Sequence, residues 1–116
     1  MLVFLRASRG ITSPLFSDRF FNITKDHITG FVFFKELVIA MNFMKVDNPL
    51  EFLKYIFGIL SIPNSDMASG TLLDRFLRSI IHGPLIETAR KCREALKVAQ
   101  ATAPIRDQAA LTYNEL

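Results

Sequence analysis

Within twelve consecutive residues, 25–36, the chain sets Asp26, His27, Thr29 and Glu36 around Gly30. That stretch has the length and punctuation of a loop that wraps a hard divalent cation. Such a loop uses oxygen ligands at its first, third and fifth positions, a glycine at the sixth, and a bidentate carboxylate at the twelfth. Gly30 stands sixth, Glu36 stands twelfth, and Phe31 offers a backbone carbonyl at the seventh. The ligand end does not follow. Lys25 brings an ammonium to the first position, His27 replaces a carboxylate at the third, and Thr29 leaves only a hydroxyl at the fifth. Asp26 falls between ligand positions and is expected to point out of the loop. One carboxylate opposed by a lysine does not offset the dehydration of such an ion. Tight calcium binding is therefore not expected, no metal site is assigned, and His27, Thr29, Phe31 and Glu36 are vestigial positions. Their plainer roles are a helix-start carboxylate for Glu36 and a solvated loop residue for His27. No second His or Cys lies at ligand spacing from His27.

A second polar stretch follows at 61–76 and is further from a cation site. If Gly70 is its turn glycine, Ser65, Met67 and Ser69 take ligand positions, Phe76 takes the place of the carboxylate, and Leu72 is the residue that bridges to Val32 in the first loop. Counting from Ser61 instead requires an insertion of four residues. Neither register holds a cage, and Pro63 fixes a backbone angle and removes a donor.

Two helices join these loops. The first spans 34–45, with Leu37, Ala40, Met41 and Met44 recurring at three- and four-residue steps. Asn48 is a good N-cap, Pro49 suits the first helical position, and Leu53, Ile56, Phe57 and Leu60 then share one side. Ser13 and Pro14 start an earlier helix through Ile23 that carries Leu15, Phe16, Phe20 and Phe21. After the second loop, Leu73, Phe76, Leu77, Ile80 and Ile81 keep a core pattern up to Gly83 and Pro84. A last helix follows from Pro84, with Leu85, Ile86, Ala89, Cys92, Leu96 and Ala99 along one stripe and Arg90, Lys91, Arg93 and Lys97 on the other face. Its basic face is either a solvated surface or a site for a membrane or a partner. The alanine-rich stripe lacks the large anchors that a membrane helix uses.

The totals bound the rest. At 116 residues, half of them hydrophobic, the chain suits one packed domain. A net charge of +3 without a clustered patch gives no case for nucleic acid. One cysteine excludes an internal disulfide and favours a reducing compartment. No apolar run reaches the ~18 residues of a membrane span. Eleven phenylalanines and no tryptophan suggest an interior of packed rings. Residues 1–12 hold Arg6 and Arg9 and no acid, so they read either as a docking helix or as a mitochondrial targeting segment. The expected organisation is an extension at 1–12, paired helix–loop–helix units at 13–83, an amphipathic helix at 84–103 and a loose tail at 104–116.

Residues 14–82 resemble the EF-hand family, and specifically one two-hand, calmodulin-like lobe with degenerate loops. The match is carried by Gly30-Phe31-Val32-Phe33-Phe34-Lys35-Glu36-Leu37-Val38-Ile39-Ala40 and by the helix opening at Asn48-Pro49. The resemblance implies an all-α fold with a short β-bridge between the loops. It also implies a groove that accepts an amphipathic helix of a protein partner, lined by Phe20, Met41, Met44, Leu53, Phe57, Leu77 and Ile80; the alternative for these seven is ordinary core. Ion-driven opening is not implied, because the ligands are lost. No His–Cys or Ser–His–Asp arrangement supports catalysis. The expectation is a non-catalytic interaction or regulatory module of the cytoplasm, or of mitochondria if 1–12 is a targeting segment, with no cofactor. Its alternatives are a weak calcium sensor working through Glu36, Thr29 and backbone oxygens, or the accessory region of a larger regulatory protein.

Overall fold

The structure, a computed structural model, describes residues 1–44, 47–106 and 109–116. In chain order it contains α1 (Leu2–Arg9), α2 (Pro14–Thr24), α3 (Phe34–Asn42), α4 (Pro49–Leu60), β1 (Met67–Ala68), α5 (Gly70–Arg78), α6 (Ile86–Thr102) and β2 (Leu111–Thr112), closed by a 3₁₀ turn at Tyr113–Glu115. Three of the helices, α2, α4 and α5, start where short side chains satisfy the first free amides. Ser13 accepts from the Phe16 amide, Asn48 from Glu51 and Ser69 from Leu72, each at 3.2 Å. Pro14 and Pro49 fill first-turn positions whose amides have no helical partner. The expected end of α3 at Lys45 lies outside the described residues.

The chain repeats itself. α2–loop–α3 and α4–loop–α5 are one unit set down twice, 36 positions apart: Thr24 and Leu60 end their first helices, and Phe34 and Gly70 begin their second. The loops agree bond for bond at their entry. The Asp26 amide donates to the Phe31 carbonyl and the Ile62 amide to the Met67 carbonyl, both at 2.8 Å. No insertion separates the two loops, so the register counted from Ser61 fits without one.

α2, α4 and α5 meet around rings. Phe16 lies 4.4 Å from Phe76 and 5.8 Å from Phe20, and Phe52 lies 6.4 Å from Phe76. Arg19 ties α2 to the end of α4 by donating to the carbonyls of Ile59 and Ser61 at 3.2 and 3.0 Å. α6 covers α4 and α5 with Ala89, Cys92, Leu96 and Ala99, all buried. α1 is fastened through Leu5, which is fully buried, and by a bridge between Ile11 and Ile80.

Several expectations are overturned. Val32 and Leu72 form no bridge: Val32 lies outside any strand and Leu72 is inside α5. β1 pairs instead with β2, Met67 opposite Thr112 and Ala68 opposite Leu111. Gly70 is no turn glycine but the first residue of α5. A Cβ there would stand 2.6 Å from the Ala109 carbonyl oxygen and 2.3 Å from Gln100 Nε2, so its smallness admits the segment that carries β2. Phe76 belongs to the ring core rather than to a loop ligand position. The described part of 104–116 is no loose tail, since Ala110 and Leu111 are buried. Among the described residues no helix is long and apolar enough to cross a membrane.

Candidate functional site

The first loop closes on its own groups. Gly30 adopts φ 77°, the left-handed turn its position requires. The Asp26 carboxylate does not point away. Its Oδ2 accepts from the Thr29 amide at 2.9 Å and from the Thr29 hydroxyl at 2.8 Å. Those bonds, the hydroxyl first, hold Asp26 below the usual carboxylate range. Thr29 thus spends its hydroxyl on Asp26, and the Phe31 carbonyl is taken by the Asp26 amide. Lys25 turns back over the Phe21 ring, 5.6 Å from its centroid. His27 is exposed, and Glu36 is exposed in the first turn of α3, where a carboxylate suits the helix dipole. The second loop is similar in kind: the Ser65 hydroxyl accepts from the Met67 amide at 3.2 Å, and Ser69 caps α5. Among the described residues, no three His, Cys, Asp or Glu side chains gather where they could share a metal ion.

The seven residues expected to line a groove are core. Phe20, Met41, Met44, Leu53, Phe57, Leu77 and Ile80 lie between 0 and 9% exposed. They hold α2, α3, α4 and α5 together, and in this arrangement they offer a partner nothing.

The apolar surface lies elsewhere, on the outside of α3. That helix buries only Met41 of its nine residues. Phe34 is 80% exposed with Val38 one turn on, Ile39 stands further round the helix beyond Lys35 and Asn42, and Phe31, Phe33 and Phe43 flank it, all exposed. The repeat supplies an internal control. At the positions of Phe34, Val38 and Ile39 the second unit has Gly70, Asp74 and Arg75. Asp74 there binds Arg78 at 2.8 Å on a polar face. The positions of Val38 and Ile39 are thus polar on α5 and apolar on α3, while the position of Phe34 is covered on α5 by Gln100 and the Ala109 carbonyl.

Two open clefts flank α3. One, of about 420 Å³, is bounded by Phe4, Phe21, Phe31 and Leu37. The other, of about 300 Å³, is bounded by Ile23, Ile39, Ala40, Phe43 and Tyr55. Phe43 stacks on Tyr55 at 5.7 Å to form its wall, and burial pushes the Tyr55 phenol up to about 12. No family model, curated protein or solved structure matches the chain. The functional reading therefore rests on this geometry.

Sequence reasoning missed the α3 face because it followed only the stripe through Leu37, Ala40 and Met41. The signal was present. Besides the stripe that packs on the domain, α3 carries Phe34, Val38 and Ile39 off that stripe, apolar residues the domain leaves uncovered.

Proposed function

We propose that the protein is a non-catalytic interaction module that receives an amphipathic helix of a protein partner on α3, without the help of an ion. One observation carries the reading: α3 exposes Val38 and Ile39 where its repeat equivalent α5 has Asp74 and Arg75. The occupant is argued from the molecule itself. α5 is covered by α6, a helix with one apolar stripe, and α3 displays uncovered apolar side chains between two clefts. Burying a side chain such as Phe34 or Ile39 contributes about 1.5–3 kcal/mol. Two or three such anchors give about 3–9 kcal/mol before association costs of about 4–15 kcal/mol, so a stable complex needs further contacts along the docked helix. The loops support ion independence, because the Thr29 hydroxyl is spent on Asp26 and the Phe31 carbonyl on the Asp26 amide.

Selection of displayed helical peptides against the intact chain, in chelator and again in calcium, tests this. The expected binders carry apolar residues at three- and four-residue spacing, bind equally in both conditions, and lose at least about tenfold in affinity against Ile39→Asp. Binders indifferent to Ile39→Asp, or binding only in calcium, would overturn it.

A further inference from the structure

The segment after α6 contains a charge pair whose placement the interaction reading does not use. Arg106 Nη1 donates to Glu115 Oε1 at 2.5 Å and to the Ala110 carbonyl at 3.3 Å. The same Glu115 oxygen accepts the Thr112 amide at 2.8 Å, and Thr112 and Glu115 cap one another around the 3₁₀ turn. The side chains of Arg106 and Glu115 are 30% and 21% exposed. Between these groups the chain makes a tight reversal, with Ala109 at φ 52°, a conformation uncommon for a residue with a Cβ. β2 follows at once, with Leu111 opposite Ala68.

The arrangement has internal symmetry. Ala68 is followed by Ser69, the N-cap of α5, and its partner Leu111 is followed by Thr112, the N-cap of the 3₁₀ turn. Two loops thus meet strand to strand, each leading into a capped helical turn. In the second of them, one backbone carbonyl and one carboxylate oxygen converge on a single positive group. Two converging oxygens of that kind repel one another unless a cation lies between them. Here the cation is a guanidinium borne by the chain itself.

We propose that Arg106 is a tethered cation that draws the Ala110 carbonyl and the Glu115 carboxylate together from within the chain and so holds the β1–β2 pair. The strand pair is then independent of dissolved ions. The ordering cost of that cation is small because it is covalently attached. This inference stands apart from the α3 interface and does not depend on it.

Amide exchange on the full, isotopically labelled chain tests it. Arg106→Gln keeps most of the stem and removes the charge. It is expected to speed exchange at Ala68 and Leu111 by about tenfold or more, while Ile56 and Phe57 in α4 are unchanged. Arg106→Lys, which restores a charge without the fork, is expected to recover part of the protection. Glu115→Gln should match Arg106→Gln, and the double variant should be no worse than either, as for two halves of one contact. Wild-type exchange should be the same in chelator and in millimolar calcium. Unchanged strand exchange in Arg106→Gln, additive effects of the two variants, or slowing of wild-type strand exchange by calcium would each overturn the proposal.

Discussion

Phe34 and Gly70 hold the same position in two copies of one unit, as first residues of α3 and α5, and their surroundings are opposite. Phe34 projects into solvent, whereas Gly70 is pressed against Gln100 and the Ala109 carbonyl. Two substitutions should therefore part company. Gly70→Ala puts a methyl group into backbone and is expected to cost about 1–3 kcal/mol despite the better helix propensity of alanine. Phe34→Ala removes an exposed ring and is expected to stay within about 0.5 kcal/mol of wild type. Urea melts of the two variants decide, and equal stabilities would contradict the assignment of both faces.

Cys92 offers a reporter of the core. It is fully buried on α6 and its Sγ donates to the Pro49 carbonyl at 3.1 Å, linking α6 to the start of α4. Burial pushes the thiol up to about 12. A thiol with so little thiolate and no access reacts slowly. Labelling by a thiol reagent at mildly alkaline pH is expected to proceed only through opening of α6 and to accelerate with denaturant in step with unfolding. Rapid labelling of the folded chain would show that α6 does not seal this face.

The loops predict an acid response of defined sign. Asp26 is held down by the Thr29 hydroxyl and amide, and Glu115 by the Thr112 amide and then by Arg106. A carboxyl whose folded value lies below its unfolded one adds stability that is fully present above the unfolded pKa of about 4. It is lost as pH falls through the lower, folded value. Order at 25–31 and 111–115 is thus expected to be constant from neutrality down to about pH 5 and to decline in stronger acid. Carboxyl chemical shifts followed through the titration check this, with Asp26→Asn and Glu115→Gln each removing one component. Midpoints at or above the ordinary carboxylate range would contradict it.

Much of this fold is legible from residues whose effect is local. Ser13, Asn48, Pro14 and Pro49 mark helix starts because capping is settled within one turn. The stripe from Leu53 to Leu60 and the run Leu73, Phe76 and Leu77 mark buried faces because a helix repeats its exposure every three or four residues. Pairing between loops is a different matter. Ala68 meets Leu111 across 43 positions, and neither neighbourhood advertises the other. Gly70 misled for a physical reason, since a glycine required for close approach looks in sequence like one required for a turn. The reversal at Ala109 was hidden by the converse, a left-handed residue that is not glycine. The phenylalanines divide in the same spirit: Phe16, Phe20, Phe52, Phe57 and Phe76 are core, whereas Phe4, Phe31, Phe33, Phe34 and Phe43 are at least 41% exposed. Composition reports the rings but not which of them meet water.

The most direct measurement is an amide-shift titration of the labelled chain, in chelator, with a helical peptide obtained by the selection described above. The account predicts saturable shifts concentrated between Phe31 and Phe43 and at Tyr55. It also predicts no displacement of α6, and loss of those shifts in Ile39→Asp while the rest of the spectrum stays folded. Shifts that centre on Phe20, Leu53 and Leu77 as the core opens, or that arise only after calcium is added, would contradict it.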